Sequence, residues 1–265
     1  MPDPRIRTIK TYGWVPDLPD QRDHLFAVEP SILTALPAKV DMRPQCPGVY
    51  DQGQLGSCTG NSIAGAVEFE RMKQAIAGAA QLTPSRLFIY YNERVIERTV
   101  QQDAGAQIRD GVKSVATQGV CFETGPNSWP YDINAFATKP PAGCYQAALP
   151  NTVVQYSRVV QTAQQMKGCL AGGHPFVFGF TVYESFESPA VAASGVVPMP
   201  ASNEKTVGGH AVLAVGYDDS QQRFIVRNSW GPGWGMAGYF TIPYAYLTDS
   251  DLASDFWTLT MVKAA

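Results

Sequence analysis

The sequence predicts an α+β protein of two lobes. Helix-forming patterns crowd the middle of the chain, short β-branched and aromatic runs crowd its end, and a proline-rich stretch precedes both. Helices first and strands second imply a mostly helical lobe packed against a lobe built on an antiparallel, barrel-like sheet. A site is expected in the cleft between the two.

Each element follows from its residues. Residues 1–37 contain Pro2, Pro4, Pro16, Pro19, Pro30 and Pro37, and "GWVPDLPDQRDH" reads as an extended, turn-rich segment. They form an N-terminal extension that packs on the main domain, residues 38–265. From Gly60 the pattern turns helical, with Ile63, Ala66 and Val67 on one face and Glu70, Arg71, Lys73 and Gln74 turned away. Cys58 falls in the first turn of this helix. "LTPSRLFIYYNERVIERT" predicts a second helix, capped by Thr83 with Pro84 at its first position. A third, from about Ala106 to Gln118, stops at a left-handed Gly119, and "NSWPYDINAFATKPPAGC" reads as a long surface loop. A short helix near 163–170 meets Gly172 and Gly173, beyond which "PFVFGFTVY", "HAVLAVGYDD", "RFIVRNSW", "GYFTIPYAYL" and "FWTLTMV" predict strands.

Composition narrows the function. The 265 residues carry a net charge of −3, with 16% charged residues, so no basic field exists to attract nucleic acid. No apolar run reaches the roughly 18–20 residues that span a bilayer. "MPDPRIRTIKTYGW" lacks the apolar core of a secretory signal, which leaves the compartment open. Five cysteines form no CxxC pair and three histidines show no ligand spacing, so a metal site is disfavoured. The odd cysteine count leaves at least one thiol unpaired within the chain.

Cys58 is the thiol with a setting. A cysteine at a helix N-terminus has its thiolate stabilised by the macrodipole and unpaired N–H groups, and a neighbouring imidazolium lowers its pKa further. Gly53, Gly56, Ser57 and Gly60 keep the helix start uncluttered, and Gln52 offers an amide that could donate to a developing oxyanion beside the Cys58 N–H. His210, in "VGGHAVLAVGYDD", opens a strand where two glycines leave its ring accessible; His174, in "GGHPFVF", better fits a satisfied core histidine. Asn228 ends a strand 18 residues later, and a turn at 218–222 would bring its carbonyl beside the imidazole, where it fixes tautomer and orientation. Alone, each residue reads as readily as a buried thiol, a turn glutamine or a turn-capping asparagine. The order Gln, Cys, His, Asn matches a thiolate–imidazolium pair with an orienting amide.

With "DQGQLGSCTGNS", "GGHAVLAVGYDD", "NSWGPGWGMAGYF" and the domain start "VDMRP", the sequence resembles the papain-like cysteine peptidases, more closely their bacterial branch. The resemblance runs from about Pro37 to the C-terminus. It implies Cys58 as nucleophile, Gln52 as oxyanion-hole donor, His210 as general base and acid, and Asn228 as its orienting group. It also implies that Trp230 shields the Asn–His hydrogen bond, that Gly105 lets a substrate backbone pair with the cleft wall, and that Val207, Gly208 and Gly209 line the main specificity pocket.

Two departures stand out. Leu55 occupies the position of a family disulfide cysteine, which leaves Cys46, Cys121, Cys144 and Cys169 without the expected pairing, and Thr59 replaces the aromatic that follows the nucleophile. The Cys58–His210 separation of 152 residues slightly exceeds the usual span of about 130–150, as a surface-loop insertion would produce.

The expected activity is cysteine endopeptidase, acting on polypeptide substrates as a monomer and needing no metal or organic cofactor. A thiol-dependent acyl or amide transferase and a silent peptide-binding module are the alternatives, the latter opposed by an intact catalytic set. Residues 1–37, with Tyr12, Trp14 and Phe26, form either a short pro-segment that partly blocks the cleft, making the chain a zymogen, or a permanent strap.

Overall fold

The computed structural model describes residues 12–76 and 78–263. The first eleven residues of the extension therefore lie outside the described residues. In chain order the elements are α1 (Pro30–Thr34), β1 (Lys39–Asp41), α2 (Cys58–Lys73), α3 (Arg86–Glu97), α4 (Ile108–Thr117) and α5 (Ala142–Ala148). They continue with β2 (Val153–Arg158), α6 (Ala163–Ala171), β3 (Phe176–Tyr183), α7 (Pro189–Ser194), β4 (Thr206–Asp218), β5 (Arg223–Arg227), β6 (Tyr239–Pro243), α8 (Tyr244–Thr248) and β7 (Ala253–Val262).

The fold is α+β. Seven antiparallel strands form one sheet in the order β2-β7-β3-β4-β5-β6, with β1 added to the far end of β4. The sheet stays open, with β2 and β6 as its edges, rather than closing into a barrel. β3 and β4, at its centre, are almost wholly apolar because both of their faces are covered. Helix α2 lies against them with Cys58, Ile63, Ala64, Ala66, Val67 and Phe69 buried. Its burial is nearly complete from Cys58 to Arg71, which explains the high share of small residues in "CTGNSIAGAV". Gly60 permits the closest approach: a Cβ there would lie 2.7 Å from the Arg86 carbonyl oxygen of α3.

Most predicted boundaries hold. α2 begins at Cys58, α4 is followed by Gly119 at φ +76°, and α6 spans Ala163–Ala171. The second helix differs: its cap is Ser85, whose hydroxyl accepts from Phe88 N (3.1 Å), while Pro84 bridges Phe122 instead of opening the helix. The loop that reads as surface is partly core. It carries Trp129 and Tyr131 inward against Leu55, Leu87, Tyr90 and Ala106. Packing in this cluster replaces the staple absent at Leu55, and all five cysteines are free thiols.

Residues 12–37 form a strap along the molecule. Arg109 anchors it by donating to both Asp23 carboxylate oxygens (3.2 and 2.6 Å) and to the Leu18 carbonyl, and Phe26 N donates to Arg158 O (2.8 Å).

Candidate active site

The start of α2 sets the thiol against the middle of the sheet. Cys58 is fully buried, and its Sγ accepts from the N–H of Ala211, which follows His210 in β4, at 3.4 Å. The hairpin β4–β5 pairs Asp218 with Arg223 and Leu213 with Arg227, and so carries Asn228 alongside His210. His210 Nε2 and Asn228 Oδ1 lie 2.9 Å apart; the oxygen can only accept, so the ring proton resides on Nε2. His210 Nδ1 is buried without a hydrogen-bond partner among the described residues. Trp230, which the resemblance places over the His–Asn hydrogen bond, stacks on the imidazole at 5.2 Å and 25°.

Gln52 reaches the same place from the other side. Its backbone N–H donates to Ser229 O (2.9 Å), Ser229 Oγ donates to Gln52 Oε1 (2.6 Å), and Gln52 Nε2 donates to Leu55 O (2.9 Å). Ser229 thereby fixes which end of the amide donates. Asp103 ties down the intervening turn by accepting from Gly56 N (3.1 and 3.0 Å) and from the Tyr90 hydroxyl (2.6 Å). Neither Ser229 nor Asp103 stood out in the sequence reading, although Ser229 sits inside "NSWG".

The strap crosses this cleft. The Gly13 carbonyl accepts from Ala106 N (2.8 Å), Val15 N donates to Ala106 O (3.0 Å), and Trp14 N donates to Gly209 O (2.9 Å). Backbone pairing thus falls on Ala106, while Gly105, at φ +73°, gives Gly13 the room to approach. Gly13 itself lies so close to the wall that a Cβ would come within 1.7 Å of Gly56 O. The Trp14 indole occupies space made by absent side chains, since a Cβ on Gly179 or Gly209 would meet it at 1.9 or 2.7 Å. Its Nε1 donates to Asp255 Oδ2 (3.1 Å), and Asp255 holds a left-handed φ of +60°. Tyr12 packs edge-on to His210, lies against Gly208 and donates to Glu187 Oε1 (2.5 Å). Val207 lies at the exposed start of β4.

Burial shifts both Cys58 and His210 away from their ordinary ionisation. It pushes the Cys58 thiol up to about 12, against the pull of backbone N–H groups of Ala211, Gly13 and Thr59. It also pushes His210 down to about 4, against the hydrogen bond that its Nε2 donates to Asn228. At neutral pH, therefore, both groups are uncharged in this arrangement.

The chain has relatives in one family. The profile of the Papain family cysteine protease matches residues 36–256. An uncharacterized peptidase C1-like protein of Acanthamoeba polyphaga mimivirus is 41% identical over 277 residues, covering 96% of this chain and 88% of that protein. A cathepsin B-like protein of Giardia intestinalis is 28% identical over 79% of this chain and 70% of its own length. The crystal structure of xylellain, a cysteine protease from Xylella fastidiosa, superposes with a TM-score of 0.86 at 44% identity, covering 98% of each chain. A helix-borne thiol, a histidine ordered by an asparagine and a family match over most of the chain lead to one assignment: the protein belongs to the papain family and is a cysteine peptidase.

Proposed function

We propose that the protein is an endopeptidase made as a self-blocked precursor, with Cys58 as nucleophile. When the cleft is open to water, the desolvation that keeps Cys58 and His210 neutral is relieved, and the proton passes from Sγ to Nδ1. The α2 N-terminus and the imidazolium then stabilise the thiolate. The thiolate attacks a substrate carbonyl, the oxyanion accepts from Gln52 Nε2 and the Cys58 N–H, and His210 returns the proton to the leaving amine. Water, activated by the same imidazole, hydrolyses the thioester.

One observation carries this reading: the imidazole has its Nε2 held by Asn228 under Trp230 and its Nδ1 unspent. A satisfied structural histidine would use both nitrogens. The block is supported by the strap itself. The Gly13 N–H faces the thiol and the Gly13 carbonyl is held by Ala106, so the strap's backbone occupies the space in front of the nucleophile.

Incubation of the full chain, its strap loosened by Trp14→Ala, with an epoxide inactivator of cysteine peptidases, followed by mass mapping, tests the nucleophile. A single adduct on Cys58 with loss of peptidase activity is expected; an adduct on another cysteine that inactivates the enzyme sinks the assignment. Trp230→Leu is expected to lower kcat about 10-fold, with little change in KM, by letting water reach the His210–Asn228 hydrogen bond. Unchanged kcat would mean that the indole only fills space.

A further inference from the structure

Behind the oxyanion hole lies a polar network that the mechanism above does not use. Arg86, buried in the first turn of α3, grips Glu123 through Nε (2.6 Å) and Nη2 (3.0 Å). Its remaining arm, Nη1, donates to Asp51 O (3.1 Å) and Asn61 Oδ1 (3.2 Å), and its guanidinium lies 3.9 Å over the Tyr131 ring. The Tyr131 hydroxyl donates to Gln52 O (2.9 Å) and shares a 2.5 Å hydrogen bond with Ser57 Oγ. Asn61 Nδ2 donates to Ser57 O (2.9 Å) and Ser57 Oγ (3.0 Å).

These contacts converge on three peptides in two short segments. Ser57 O belongs to the peptide unit whose N–H is that of Cys58, so Asn61 sets the plane in which that N–H points. Gln52 O and Asp51 O are the carbonyls on either side of the Gln52 Cα, so Tyr131 and Arg86 set where the Gln52 side chain starts. Arg86 and Tyr131 join the halves, because each contacts both Asn61 and the 51–52 segment.

We infer that Arg86, Asn61 and Tyr131 are positioning residues that hold the two oxyanion donors in register, so that the rate of peptide hydrolysis depends on side chains that never touch substrate. This rests on the reading of Gln52 Nε2 and the Cys58 N–H as the oxyanion hole. The physical reason is geometric: hydrogen-bond stabilisation of an oxyanion falls steeply with misplacement, and a shift of about 1 Å costs on the order of 100-fold. A planar guanidinium suits the task because it holds a carboxylate, a carbonyl and an amide oxygen at once and still stacks on an aromatic ring.

The test uses the full chain carrying Trp14→Ala, which loosens the strap, with Tyr131→Phe, Arg86→Lys or Asn61→Asp added singly. Tyr131→Phe keeps the ring and removes only the hydroxyl. Four quantities are measured: kcat and KM on a peptide substrate, affinity for a peptide aldehyde, and the rate of Cys58 alkylation by iodoacetamide. The aldehyde adduct places an oxygen in the hole; alkylation forms a C–S bond, expels iodide and needs no hole. Expected is a drop in kcat of about 10-fold for Tyr131→Phe and about 100-fold for Arg86→Lys, with KM within about twofold. Aldehyde affinity should fall in parallel while alkylation stays unchanged. Unchanged aldehyde affinity overturns the inference, as does a parallel fall in alkylation, which would signal general loss of structure. If the Trp14→Ala parent cleaves no peptide, the peptidase reading fails, and aldehyde affinity still decides the positioning role.

Discussion

Trp14→Ala in the full chain is expected to raise the rate of Cys58 alkylation at pH 7 by about 100-fold. The indole sits in a slot bounded by Gly179 and Gly209 and donates to Asp255, and truncating a well-packed tryptophan costs about 3–5 kcal/mol. At about 1.4 kcal/mol per decade, a loss of about 3 kcal/mol moves the strap's closed-to-open ratio about 100-fold toward open. The rest of the strap should stay in place, because Arg109 and Arg158 hold Asp23 on the far side of Trp14. Gly13→Ala should open the cleft as well, for the opposite reason: its methyl would collide with Gly56 O. One variant removes atoms and the other adds them, so a shared result isolates cleft opening from local packing.

The pH profile supplies a second readout. In the closed parent burial pushes the thiol up to about 12 and the imidazole down to about 4, so alkylation should be slow and should climb about tenfold per pH unit with the small thiolate fraction, without a plateau below pH 12. Once open, the pair ionises within that window and the profile should rise to a plateau bounded by two pKa values that belong to the pair. Equal rates and superimposable profiles for Trp14→Ala, Gly13→Ala and the parent would make the strap a permanent structural element.

The proposed catalytic positions were legible in the sequence for two different reasons. His210 and Asn228 are joined by one short hairpin, so chain-local rules bring them together, whereas that Cys58, 152 residues before His210, belongs with them was read from the family resemblance. The strap was legible as extended, yet proline content says nothing about which surface an extended chain will cover. That depended on glycines far away in sequence, Gly179, Gly208 and Gly209, whose missing side chains make the space. The positioning network was hidden for a related reason. "NSWPYDINAF" reads as surface by composition, but Tyr131 turns inward because Arg86, 45 residues earlier, stacks on its ring. An arginine opening a helix whose next turn, Leu87–Tyr91, is apolar and aromatic, and aromatic residues in a polar loop, were the available signals. The barrel expectation failed because alternating apolar runs specify strands and faces, whereas closure depends on whether β2 and β6 pair, which no local pattern encodes.

Glu93→Gln is expected to stabilise the protein by about 3–5 kcal/mol at pH 9 and to change it little near pH 4.5. Glu93 lies in α3, wholly buried beneath the catalytic helix, where Thr59 Oγ1 donates to its Oε2 (2.6 Å) and α4 packs over its Oε1 at Gly111. Burial pushes the carboxyl from 4.5 up to about 8, with the Thr59 hydrogen bond opposing and the Glu97 charge adding. Between those values the folded state keeps a proton that the unfolded chain has shed. Stability therefore falls as pH rises from about 4.5 to about 8 and levels off beyond. Glutamine accepts the same Thr59 hydrogen bond without ever charging, so the gap between variant and parent should open across this window, reaching about 10 °C in Tm above it. Parallel Tm curves from pH 4.5 to 9 would show that Glu93 ionises without cost. The consequence reaches Cys58, because a charged Glu93 raises the Cys58 pKa and opposes the thiolate. Thr59 sits over a carboxylic acid whose neutrality below about pH 8 keeps negative charge away from the Cys58 sulfur.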